Sequence, residues 1–213
     1  QSGDYRHAYE AAQIHYSQSS KRGFVGFFGP LESIFIMARC KWEFTHKKDA
    51  MSQFVQLKDF AESWKQWHWH FYADGYLARD QVVNGFAPDA LERIKHARER
   101  ASLLERHEGL LSIIDLSELF VRYEVRDNER AAVLLQRAPS MRFVEQIKLS
   151  LDERQGKKNI GEDVRKLPTR TPREKIWKYL AEVGEVIDSE QQAMKILKSA
   201  LDIGALVGAC LLY

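Results

Sequence analysis

Apolar residues recur at three- and four-residue spacing along most of this chain, which is the spacing of one face of an α-helix. The pattern predicts helices over Leu31–Phe44, Ala50–Trp64, His70–Val83, Pro88–Leu104, Leu110–Val125, Glu129–Ala138, Ile176–Ile187 and Gln191–Leu212. Short polar or Gly/Pro-bearing breaks separate them, such as Thr45–Asp49, Asn84–Pro88 and Arg126–Asn128. Pro88 suits a first helical turn, where its missing N–H costs nothing. Asp127 and Asp188/Ser189 stand where N-caps are expected. Two stretches break the rhythm. Ser17–Pro30 is rich in Ser, Gly and Phe and reads as a long loop. Gln155–Pro172 is the longest polar segment and reads as a linker.

Small residues reveal a period. Ala38 precedes Ala50 by twelve positions, and the same offset joins Ala78 to Ala90, Leu119 to Ala131 and Ala181 to Ala193. Each pair bridges two successive helices. A small side chain at a helix crossing lets two backbones approach closely, so the offset marks recurring antiparallel hairpins. Four residues after the second member come Phe54, Ile94, Leu135 and Leu197, and three further on come Leu57, Ala97, Ala138 and Ala200. These spacings hold one helix face.

This pattern resembles the tetratricopeptide repeat (TPR). The fullest match is Trp177, Leu180, Ala181, Ala193, Leu197 and Ala200, with partial matches around Ala38/Ala50, Ala78/Ala90 and Leu119/Ala131. The aromatic late in the first helix is replaced by Lys41, Gln81, Arg122 and Gly184. Units start near 31, 71, 112 and 174, so the steps are about 40, 41 and 62 residues, against a family period of about 34. Long-period variants of this kind resemble the helical arrays of bacterial signal-transducing ATPases and transcription activators. The resemblance implies an all-α superhelix of about four to five hairpins. It divides the chain into 1–30, a partial hairpin plus loop, 31–150, three hairpins, 151–173, a basic linker, and 174–213, a last hairpin with a buried final helix. Gly3-Asp4-Tyr5…Ala8 resembles the entry to a second helix whose first helix is missing, so the chain reads as a piece of something longer.

The resemblance also implies a non-enzymatic interaction module that binds a peptide, partner protein or small signalling ligand in its groove. First-helix positions expected there are Lys41, Asp74, Gln81, Asp115 and Arg122, with Trp67 and His70 from the aromatic segment WKQWHWHFYAD. Exposed Trp and Tyr are favoured interface anchors.

Composition narrows the remaining options. A hydrophobic fraction of 45% permits a sizeable core, and a net charge of +2 with 29% charged residues demands neither nucleic acid nor a membrane surface. Two cysteines, Cys40 and Cys210, make no disulfide framework, and a reducing, cytoplasmic setting is the expectation. Ile203–Tyr213 is uncharged but too short to span a bilayer, and is read as a buried helix rather than a membrane segment. His70 and Asp74 share a helix face, but no third ligand stands near, so neither a metal nor a cofactor is expected. Glu92–Glu108 mixes both charge signs and reads as a solvated face.

The alternative function is nucleic-acid binding. Arg154–Arg173 holds seven basic residues and two acidic ones, and Lys157, Lys158, Arg165, Lys166, Arg170 and Arg173 would touch phosphate. Arg39/His46 and Arg100/His107 resemble the Arg-six-His motif of HEPN-family ribonucleases, but lack the polar residue often found just after the Arg.

Overall fold

A computed structural model describes residues 5–21, 28–43, 47–104, 108–139, 142–156, 166, 175–176, 178–179, 182–183 and 189–207. Among these every regular element is an α-helix: α1 (Tyr5–Lys21), α2 (Phe28–Glu43), α3 (Lys47–Ser63), α4 (Trp67–Val83), α5 (Ala87–Ser102), α6 (Glu108–Glu124), α7 (Asn128–Leu135), α8 (Arg142–Arg154) and α9 (Glu190–Val207). From α1 to α8 each helix packs on the next in sequence, and α4 also packs on α6.

Three turns are built alike. At the end of α3, Lys65 N–H donates to the Glu62 carbonyl (3.0 Å) and Gln66 N–H to the Ala61 carbonyl (2.7 Å). After α4 the matching bonds are Gly85 to Val82 (3.1 Å) and Phe86 to Gln81 (2.8 Å). After α6 they are Arg126 to Tyr123 (3.2 Å) and Asp127 to Arg122 (2.9 Å). This paired closure is the Schellman motif, which needs a left-handed residue just past the helix. Lys65 (φ 55°), Gly85 (φ 87°) and Arg126 (φ 61°) fill that position. Only Gly85, which has no Cβ, does so without crowding. Both other side chains are exposed. Replacing Arg126 with Gly should therefore raise stability by about 1 kcal/mol, because relief of left-handed strain exceeds the entropy that Gly adds to the unfolded chain. Chemical denaturation reads this directly.

The small-residue offsets lie where close packing is needed. Ala38, Ala50, Ala78, Ala90, Leu119 and Ala131 are all fully buried, and Ala193 is buried on α9. Ala181 lies outside the described residues. On α3 the buried stripe is Ala50, Phe54, Leu57 and Ala61. On α5 it is Ala90, Ile94, Ala97 and Ala101, each forty positions later. On the shorter α7 the stripe slips by one, so that Leu134 is buried and Leu135 only flanks the core.

The core forms three clusters in chain order. One joins α1 to α4 around Phe54 and Leu57, one joins α4 to α6 around Phe71 and Ile94, and one joins α6 to α8 around Leu119 and Leu134. Helix α4 serves two of them, with Ala73 and Leu77 in the first and Phe71 and Ala78 in the second. That explains why its apolar residues are spread round the helix rather than confined to one stripe.

One expectation needs correction, and two helices add to the framework. Ser17–Pro30 is not one loop, since α1 continues to Lys21 and α2 begins at Phe28. Tyr5–Lys21 is a full helix packed on α2, with His15 Nδ1 2.7 Å from Ser33 Oγ. An unforeseen helix, α8, buries Val144, Ile147 and Leu151 against α6 and α7.

Candidate functional site

Two buried acids, one on α4 and one on α6, are each held by cations from the helices before and after. Asp74 on α4 is 5% exposed. Its Oδ1 accepts from Lys58 Nζ of α3 (2.8 Å) and from Arg93 Nη1 of α5 (3.0 Å). Arg93 Nε also donates to Gln81 (2.9 Å). A similar arrangement lies on α6. Glu118 of α6 is buried and accepts from Arg98 of α5 (2.7 Å) and Arg130 of α7 (3.5 Å). Arg98 reaches Asp115 as well (2.6 Å), and Arg122 ties Glu118 (3.4 Å) to Asp127 (2.9 Å). Lys58 and Arg98 are forty positions apart, as are the buried stripes of their helices. A buried acid clamped by two cations ties three helices together, with desolvation offsetting much of the attraction.

Burial alone would push the Asp74 carboxyl up, but the hydrogen bonds from His70 and Lys58 outweigh it and hold the group down, from 3.8 to about 2. Glu118 is likewise lowered, with burial overcome chiefly by Arg98. A depressed carboxyl contributes stability that is complete above its unfolded value and is lost as pH falls through its folded one. From 3.8 down to about 2, this is worth about 2 kcal/mol for Asp74. Acid titration of the melting temperature should show that loss between pH 3.8 and about 2, and Asp74→Asn should remove it.

The residues expected to meet a partner therefore divide. Lys41 pairs loosely with Asp49 (3.9 Å). Asp74, Gln81, Asp115 and Arg122 belong to the clamps. His70 is 1% exposed, and Trp67 carries Arg100 over its ring (4.8 Å). Lys166 is exposed. Lys157, Lys158, Arg165, Arg170 and Arg173 lie outside the described residues, as do His46 and His107. The solvated-face reading of Glu92–Glu108 holds for Glu92, which pairs with Lys95 (3.2 Å) and His96 (2.8 Å). It fails for Arg93, Arg98 and Arg100, which cross to neighbouring helices; Arg100 reaches Glu62 (2.5 Å). Among the described residues no group of three His, Cys, Asp or Glu side chains could hold a metal, and no helix is long and apolar enough to cross a membrane.

A second chain of contacts crosses α2, α4, α6 and α8. The Phe35 ring meets Trp69 (5.3 Å), Tyr72 (5.4 Å) and Tyr76 (5.8 Å). Arg79 lies over Tyr76 (5.3 Å) and over Phe120 of α6 (4.3 Å). One turn on from Phe120, Tyr123 meets Ser150 of α8 (2.7 Å), and Arg154 lies over its ring (4.1 Å). Most of these side chains are half-buried, while Tyr72 and Arg154 are exposed.

No protein-family model, curated protein or solved structure matches the chain.

The aromatic–arginine ladder was not singled out as a site from sequence, although a signal was present. Arg39 and Arg79 stand forty apart, the interval between the buried stripes of α3 and α5, and Phe35 and Tyr76 stand forty-one apart.

Proposed function

We propose that the chain is a TPR-like helical-repeat module that binds a peptide or partner-protein segment along its first helices, and does not catalyse a reaction. The observation that carries the reading is the forty-residue recurrence of the α3 and α5 buried stripes, together with the matching Lys58 and Arg98 clamps. Repetition of both apolar and polar contacts is what stacked hairpins require, since each unit must meet its neighbour in the same way. In such an array the first helices α2, α4 and α6 form a row, and the pairing of α4 with α6 accords with that. The ladder from Phe35 through Tyr72, Tyr76, Arg79 and Phe120 to Tyr123 supplies aromatic and guanidinium groups, the types most often found at binding hot spots.

Panning a random peptide library against the chain tests this. An enriched peptide should bind the wild type and lose about tenfold or more in affinity to Tyr72→Ala, a 1.4 kcal/mol effect. Enriched peptides indifferent to Tyr72, Arg79 and Phe120 would contradict it. A single-stranded oligonucleotide bound instead, with affinity falling steeply as salt rises, would move the assignment to nucleic acid.

A further inference from the structure

The α3–α4 joint contains a buried histidine whose two ring nitrogens both face carboxylates. His70 is 1% exposed, and Trp67 (5.7 Å) and Phe71 (5.3 Å) pack edge-on against its ring. Each flanking carboxylate divides its oxygens. Glu62 Oε1 takes the Arg100 guanidinium, while Oε2 stands 3.8 Å from His70 Nδ1. Asp74 Oδ1 takes Lys58 and Arg93, while Oδ2 stands 3.4 Å from His70 Nε2. The Nδ1 atom is buried and has no hydrogen-bond partner.

A neutral imidazole carries one N–H and one lone pair. In either tautomer the lone pair here points at a carboxylate oxygen. Only the doubly protonated ring donates on both sides. The charged groups around it are Lys58 and Glu62 from α3, Asp74 from α4, and Arg93 and Arg100 from α5. Each of the three cations is bonded to the carboxylate oxygen that the ring does not face. The ring therefore meets the two oxygens left over. Glu62 is half-exposed, so its side chain has room to close the 3.8 Å gap.

We infer that a proton on His70 acts as a latch, drawing Glu62 of α3 onto α4 and tightening the joint between two successive hairpins. Loss of the proton turns a ring lone pair toward a carboxylate and loosens that joint. The latch therefore operates at the acid side and releases as pH rises. It stands independently of what the first helices bind.

The test is nitrogen-resolved NMR of the His70 ring, combined with amide exchange at Lys65 and Gln66 in the adjoining turn, corrected for intrinsic rates. Both ring nitrogens should carry protons at the acid end. Protection of the two amides should then fall about tenfold across the ring's own titration. Glu62→Gln changes a half-exposed side chain, so the fold should survive it. It should move the ring's titration to lower pH, since an anion facing Nδ1 has been removed, and shrink the step in protection. A ring found neutral at the acid end, protection unchanged across the titration, or an unmoved titration in Glu62→Gln would each overturn the latch.

Discussion

Phe54→Ala should lower stability by about 3–5 kcal/mol. Phe54 is fully buried on α3, stacked on Tyr76 of α4 at 4.5 Å and edge-on to Phe35 of α2 at 6.3 Å. Truncation removes the ring from three helices at once and leaves a cavity whose walls are other rings. Those rings are tied in turn to Trp69, Tyr72 and Trp42, so the site has little freedom to collapse. The corresponding position on α5 holds Ile94, and Ile94→Ala should cost less, toward the lower end of about 2–5 kcal/mol, because fewer atoms are lost. Denaturant midpoints for the two variants give the comparison. If Phe54→Ala were the milder change, the aromatic packing would not be what holds α2, α3 and α4 together.

Gly75→Val should cost about 3 kcal/mol, even though glycine is a poor helix former. Gly75 lies where α4 crosses α6, and a Cβ built on it would collide with Ser117 Oγ and stand 3.1 Å from Ser117 Cβ. The Ser117 hydroxyl is already turned to its own helix, donating to the Ile113 carbonyl (3.0 Å). Rotating it away is a small adjustment, but the short distance to Ser117 Cβ can be relieved only by moving a backbone. Gly75→Ala would gain about 1 kcal/mol in helix propensity, partly offsetting its smaller clash. Valine adds two further methyl groups at the same crossing. Ser117→Gly should restore part of the loss in Gly75→Val, and a double-mutant cycle would measure the coupling. Absence of coupling would mean that α4 and α6 do not meet at this pair.

Much of the helical framework was legible in the sequence because apolar spacing and the twelve-residue offset depend only on local geometry. Ala78 and Ala90 fall at successive helices whatever the rest of the chain does, and both are fully buried. Helix α8 escaped because its buried stripe, Val144, Ile147 and Leu151, is thin and set among Glu, Gln, Lys and Arg. The loop reading of Ser17–Pro30 failed because Ser17, Ser19 and Ser20, weaker helix formers, are nonetheless carried in helix as the end of α1.

The clamps were less legible for a different reason. Lys58 and Asp74 are sixteen positions apart, and Arg98 and Glu118 twenty, so neither pair fits a helical repeat. Their meeting depends on turn length and on the left-handed residue that sets it, Lys65 in the first case. Local pairing rules see only Glu92 with Lys95 and His96, and so make the whole segment look solvated. The same limitation misplaced emphasis among the candidate site residues. His70 and Asp74 look available from their helix spacing, yet both are enclosed by groups from α3 and α5.

The account rests on successive helix pairs stacking as an array rather than closing into a bundle, and small-angle X-ray scattering of the chain measures that most directly. The array predicts an elongated profile, with a radius of gyration well above the roughly 17 Å of a compact chain of this length and a distance distribution skewed to long separations. A symmetric distribution at about 17 Å would contradict it, and the first helices would then form no extended row for a partner to bind.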